Sequence, residues 1–219
     1  MAGQEVLEAI RRHLEGTAEV TRRAAEVCAD DIARAAELIA TSIRRGGKVL
    51  ICGNGGSAAD AEHMAAELLG RLTRDFERPA LPAIALPANA PFVTAYANDV
   101  GFEHVFARQV QALGAPGDVL ICISTSGASQ NVVRAAEDAR SGKLHVITLT
   151  GPGGVLPGLA DVSIRVPSQD TQHIQEAHLA IEHIICGLVE RRLHGPDAER
   201  PGGAAARTAS SKERPRGSR

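Results

Sequence analysis

The sequence predicts a doubly wound α/β domain, with a parallel sheet of about five strands flanked by helices and preceded by N-terminal helices. Three observations lead there. Short aliphatic runs alternate with segments of helical periodicity. The runs are nearly continuous in apolar residues, as strands covered on both faces are. Two of them end in small-residue loops that open helices. A chain of 219 residues has room for one good-sized core and not for two complete ones. Residues 1–194 are therefore expected to form a single domain, with 1–45 as its N-terminal helices.

The first element follows from apolar positions at helical spacing over residues 4 to 45 (Val6, Ile10, His13, Leu14, then Ala25, Cys28, Ile32, Ala35, Ile39, Ile43). A break is expected near Gly16-Thr17, giving a short helix and a long one, and Gly46-Gly47 closes the second. The strands are expected at 48–53 (KVLICG), 80–86 (ALPAIAL), 118–124 (DVLICIS), 144–151 (LHVITLTG) and 162–166 (VSIRV). From Gln172 to Leu193 the helical stripe returns through Ile174, His178, Ile181, Ile185 and Leu188. Residues 195–219 are rich in Pro, Gly, Ala, Ser and Arg without periodicity, a composition that buries too little apolar area to offset ordering entropy, and a disordered tail is expected.

Composition narrows the function classes. Hydrophobic residues make up 44% and charged residues 23% of the chain, ordinary values for a globular protein. No stretch approaches the roughly 18 consecutive apolar residues of a spanning helix. The N-terminus has no apolar h-region, so a cytoplasmic protein is expected. Gly195 to Arg219 hold 6 Lys/Arg and 3 Asp/Glu of the chain's 24 and 26, leaving 18 against 23, a balance of −5 for the rest. With aromatics at 2% and no basic stripe, the core offers nucleic acid neither a stacking platform nor an electrostatic footprint. Cys28, Cys52, Cys122 and Cys186 lie far apart among aliphatic neighbours and read as reduced core residues, with Cys52, beside a loop, the one candidate for a reactive thiol.

The chemistry is expected at two loops on the carboxyl edge of the sheet, where ligands of such folds bind and helix N-termini attract phosphate. After the first strand comes Asn54-Gly55-Gly56-Ser57; after the third come Ser124-Thr125-Ser126 and Ser129. Ser124, Thr125, Ser126 and Ser129 would surround a phosphate with hydroxyl and N–H donors, although Ser and Gly also serve as plain caps and turns. Neither loop is a P-loop or a dinucleotide fingerprint, so no nucleotide cofactor is expected. His63 and Glu67, four apart, share a helix face; Gln175 and His183, eight apart, differ by roughly 80° around theirs. A carboxylate with two imidazoles suits acid/base work or zinc. His13, His145 and His178 read as structural.

The segments CGNGGSAADAEHMAAELLGR, ANDVGFEHVFARQVQALGAPGDVL, STSGASQNV and IQEAHLAIEHI together resemble the sugar isomerase (SIS) domain family and, within it, its phosphoheptose isomerase branch. The resemblance runs from the long N-terminal helix to about Leu193. It implies a flavodoxin-like SIS fold and an aldose–ketose isomerase that converts sedoheptulose 7-phosphate to D-glycero-D-manno-heptose 7-phosphate through an enediol, for heptose biosynthesis. It implies substrate contacts at Asn54, Gly55, Gly56, Ser57, Glu67, Asn98, Asp99, Ser124, Thr125, Ser126, Ser129 and Gln175, and acid/base roles for Glu67 and His183. His63, Glu67, Gln175 and His183 match the zinc set of some members. A homotetramer with sites between subunits is also implied, and the apolar stripe on residues 25–43 is expected to offer its packing surface. Where the family usually reads Ala-Arg, this chain has Gln172-His173. The alternative is a non-catalytic SIS tetramer acting as a binding or regulatory protein of the replication-initiator-associating type, which would be expected to lack Glu67 or His183.

Overall fold

The computed structural model of the chain describes residues 2–195. Helices α1 (Ala2–Val27) and α2 (Ala29–Arg44) lead into β1 (Val49–Gly53), α3 (Gly56–Leu69), β2 (Ala83–Ala85), α4 (Ala90–Asp99), α5 (Val105–Leu113), β3 (Val119–Ser124), α6 (Gln130–Ser141), β4 (His145–Thr150), β5 (Val162–Arg165) and α7 (Thr171–His194). The five strands are parallel in the order β2-β1-β3-β4-β5. The chain steps to one side from β1 and to the other from β3, which puts the topological switch point between them.

Burial on both faces accounts for the continuous aliphatic runs. Val49, Ile51, Val119, Ile121, Ile123, Ile147, Leu149 and Ile164 face one core with α2, α3 and α7. Leu50, Cys52, Leu120, Cys122 and Val146 face the other, with α5 and α6. Successive strand residues thus enter opposite cores, and both must be apolar. All four cysteines are free and buried, and Cys52, fully buried 3.9 Å from the Cys122 sulfur, is a core residue. The edge strand β2 pairs over three residues only. Prolines at 79 and 82 precede it, and proline supplies no N–H to a ladder.

Two expectations about the N-terminal helices need correction. α1 runs unbroken through Gly16-Thr17, and the break falls at Cys28, which bends the chain while its thiol donates to the Arg165 carbonyl at 3.3 Å. Gly16 is there for close approach. A Cβ at that position would lie 2.5 Å from the His173 ring nitrogen Nε2. The stripe at 25–43 is also no free surface: Ile32, Ala35, Ala36 and Ile39 are buried in this chain's own core against α7 and the sheet. The open apolar face belongs instead to α1, where Val6, Leu7, Ile10 and Leu14 are 52 to 63% exposed.

The last helix forms as expected. Asp170 caps it, its carboxylate accepting from the N–H groups of Gln172 and His173, and Ile174, His178, Ile181 and Ile185 are its buried stripe. Of the tail expected at 195–219, residues 196–219 lie outside the described residues.

Candidate active site

The two loops meet at the switch point. Gly55 has φ +57°, a conformation that suits glycine, and Gly56 opens α3 with the Gln175 side chain so close that a methyl group would collide with its amide. Asn54 and Asn131 join the loops through a reciprocal pair of amide hydrogen bonds, both 2.8 Å. A cleft of about 530 Å³ opens here, lined among others by Asn54, Ser129 and Asn131, with Phe102, Glu103 and Arg134. Ser57 is buried beneath the loop, its backbone against Gly53.

In the second loop Ser124 is buried, and its hydroxyl stands 3.1 Å from that of Ser129 and 3.4 Å from that of Ser126. Ser126 in turn accepts from the Ala128 N–H at 3.2 Å. Gly127, at φ +64°, packs on the 153–154 backbone and accepts from the N–H groups of Val155 and Leu156. The loop is thereby braced from behind while Ser126 stays exposed to solvent. Val132 N–H is taken by the Ser129 carbonyl and the Asn131 side chain, and the N–H groups of Gln130 and Asn131 ahead of it, with the loop, make the start of α6 suited to an anion. Asn98 and Asp99 lie exposed at the end of α4, bonded to each other at 2.9 Å.

The expected acid/base and metal residues divide into two groups. His63 on α3 and His183 on α7 meet Nε2 to Nε2 at 2.8 Å with their rings edge to face, and Glu67 Oε1 lies 3.8 Å from His63 Nε2. Glu67 Oε2 is buried with no hydrogen-bond partner among the described residues. Gln175 stands apart, its amide donating to Asp60 at 3.4 Å and lining a second cleft with His13, Asp60 and Glu176. Two imidazoles and a carboxylate with a spare oxygen fit a zinc-class cation chemically.

Sequence reasoning missed several neighbours. Asp60 follows the α3 face of His63 and Glu67, and burial raises its carboxyl, with the Gln175 bond and His63 pulling the other way. That spacing was readable. Glu182, beside His183, is fully buried without a partner among the described residues, and burial with the nearby Asp60 charge pushes it up to about 9. Arg78, its side chain fully buried, donates to the carbonyls of Glu67 and Leu68 at 2.8 Å and pairs with Glu190 of α7. It fastens the end of α3, and with it Glu67, to the last helix. Nothing local in the sequence signals that link.

His13, assigned a structural role above, joins His173 and Glu176 in a polar cluster. Glu176 bonds His13 at 2.7 Å, Thr17 at 2.6 Å and His173 at 3.1 Å. Burial pushes its carboxyl up, but bonds from Thr17, His13 and His173 outweigh that and hold it at about 2.

Comparison with known proteins adds three findings. Residues 12–151 match the SIS domain family. A phosphoheptose isomerase of Rhodospirillum rubrum is 55% identical over 149 residues, 68% of this chain and 78% of that protein. Solved structures of phosphoheptose isomerases from Neisseria gonorrhoeae and Francisella tularensis superimpose with TM-scores of 0.79 and 0.81 at 40% and 39% identity. They cover 84% and 85% of this chain and 98% of each of those.

Proposed function

The chain belongs to the phosphoheptose isomerases of the SIS domain family, and from that footing we propose that it interconverts sedoheptulose 7-phosphate and D-glycero-D-manno-heptose 7-phosphate for heptose biosynthesis. The observation that carries the chemistry is Glu67, a part-buried carboxylate with one oxygen unpartnered among the described residues, set beside His63, whose ring meets that of His183. The non-catalytic alternative is not favoured, since Glu67 and His183 are both in place.

The open-chain sugar seats its phosphate at Ser124, Thr125, Ser126, Ser129 and the start of α6, while Asn54, Gly55, Gly56, Ser57, Asn98, Asp99 and Gln175 hold the polyol. Glu67 takes the C1 proton of the ketose as His183 gives a proton to O2, forming the enediol. His183 then takes the O1 proton and Glu67 returns its proton to C2, leaving the aldehyde at C1. Each positioned acid or base typically contributes about 10² to 10⁴ in rate. His63, Glu67 and His183, with Gln175 moved toward them, would hold zinc, which when bound polarises a carbonyl as a Lewis acid.

Residues 1–194 form one domain in this reading, working as a cytoplasmic homotetramer whose sites lie between subunits. The exposed α1 face of Val6, Leu7, Ile10 and Leu14 supports such an assembly, because an apolar patch of that kind calls for a cover. The free, buried cysteines fit a reducing compartment. Among the described residues no helix is long and apolar enough to cross a membrane. Incubation with sedoheptulose 7-phosphate, read by NMR beside fructose 6-phosphate and arabinose 5-phosphate, tests the activity. Aldose should form from the heptulose fastest, and light scattering of the active protein should give the mass of four chains.

A further inference from the structure

Outside the pair of His63 and His183, a different set of donors converges where α1 crosses α7. His13 comes from α1; His173 and Glu176 are one turn apart on α7. One ligand atom from each lies within 4.8 Å of the others, and among the described residues no other trio of His, Cys, Asp or Glu is gathered so closely. The two rings sit 4.7 Å apart between centroids. Thr17 places a hydroxyl 2.6 Å from Glu176 Oε2 and 3.3 Å from His173 Nδ1.

The backbone is shaped for this meeting. At Gly16 any side chain would strike the His173 ring, so glycine is what lets α1 come down onto it. The cluster also opens onto the cleft of about 380 Å³ that His13 and Glu176 line, which gives a hydrated ion a way in.

We propose that His13, His173 and Glu176 form a metal site for a divalent cation of the zinc class, a site that clamps α1 to α7. Two imidazoles and one carboxylate are the donor set that borderline cations take, with a water or the Thr17 hydroxyl in the remaining position. Donors at ordinary zinc bond lengths stand about 3.3 Å apart around a tetrahedron. Here His13 Nε2 lies 2.7 Å from Glu176 Oε1 and His173 Nδ1 3.1 Å from Glu176 Oε2, and one donor atom from each residue lies within 4.8 Å of the others, so shifts of an ångström or two would bring the three donors round an ion. The site is separate from the zinc proposed at His63 and His183. Neighbouring residues on a helix point about 100° apart, and Gln175 turns to Asp60 and Gly56 while Glu176 turns to His13.

The test uses the full chain, stripped by a chelator and dialysed against zinc, with cobalt(II) absorption as a second reading. His63→Ala with His183→Ala removes the other pair of imidazoles, and this variant should still bind one equivalent per chain. Adding His13→Gln or Glu176→Gln should weaken that binding by at least about 10²-fold, since even partners behind a ligand are worth 10- to 100-fold. Circular dichroism confirms that each variant is folded. If the zinc proposed at His63 and His183 is wrong and this site is right, the unaltered chain binds one equivalent, lost with His13→Gln and kept with His63→Ala. A folded His63→Ala, His183→Ala protein that binds no zinc overturns the site, as does unchanged binding in both His13→Gln and Glu176→Gln. In those cases the cluster is only a hydrogen-bonded ion pair.

Discussion

His63 and His183 stand 2.8 Å apart between their Nε2 atoms, a distance at which one ring must donate and the other accept. The same two imidazoles would hold a cation. If zinc sits there, chelation should lower turnover and added zinc restore it. His13→Gln enzyme should stay as chelator-sensitive as the parent, because its lost ligand serves the other site. Full activity after exhaustive chelation would remove zinc from the mechanism and leave the two rings as a proton-sharing pair.

Stability should respond to acid through His178. Its ring is fully buried, and burial lowers its pKa to about 4 from 6.5, with the Thr150 backbone offsetting a little. The unfolded chain takes a proton below about pH 6.5 and the folded chain does not until about pH 4, so its contribution is whole above 6.5 and is lost as pH falls through that window. The loss amounts to about 3 kcal/mol. Glu182, one turn further on, has its pKa raised and acts in the opposite sense, favouring the folded state less as pH rises from 4.5 toward 9. The measurement is therefore a difference. Unfolding free energies from urea titrations of His178→Leu and the parent should diverge in favour of the variant by about that amount between pH 7 and 4. Parallel curves would show that His178 does not titrate differently on unfolding.

The buried pair of Arg78 and Glu190 should be costly to break from one side. Arg78→Met leaves Glu190, 4% exposed in its side chain, without its counter-charge and with only the Leu72 N–H to bond, and frees the carbonyls at the end of α3. Such losses run to about 3 to 5 kcal/mol. Arg78→Lys should recover little, since one ammonium cannot reproduce the planar fork that spans two carbonyls and a carboxylate. Replacing both partners, Arg78→Met with Glu190→Met, should restore most of the denaturation midpoint. Additive losses in that double variant would show that the pair does not act as a unit.

The legible parts of the fold were those set by burial on both faces of the sheet. β1, β3 and β4 announced themselves because their aliphatic residues enter one core or the other in turn. The boundary at Gly16 misled because a glycine permitting close packing looks, in sequence, like one that ends a helix. Helix faces at 25–43 and on α1 show the same apolar spacing, and only the folded chain tells which is covered. In the site, His63 with Glu67 was readable from an interval of four. The ties of Gln175 to Asp60, Asn54 to Asn131 and Arg78 to Glu190 span 115, 77 and 112 residues, and no local pattern marks them. His173 replaces the expected arginine, and its partners His13 and Thr17 lie at the far end of the chain.

The proton transfer assigned to Glu67 is the centre of the account, and Glu67→Gln tests it with nearly the same shape and no base. Turnover of sedoheptulose 7-phosphate should fall by at least about 10², while calorimetry shows the sugar phosphate still binding, because the serine loop that holds the phosphate is untouched. A Glu67→Gln enzyme with the parent's turnover would contradict the mechanism.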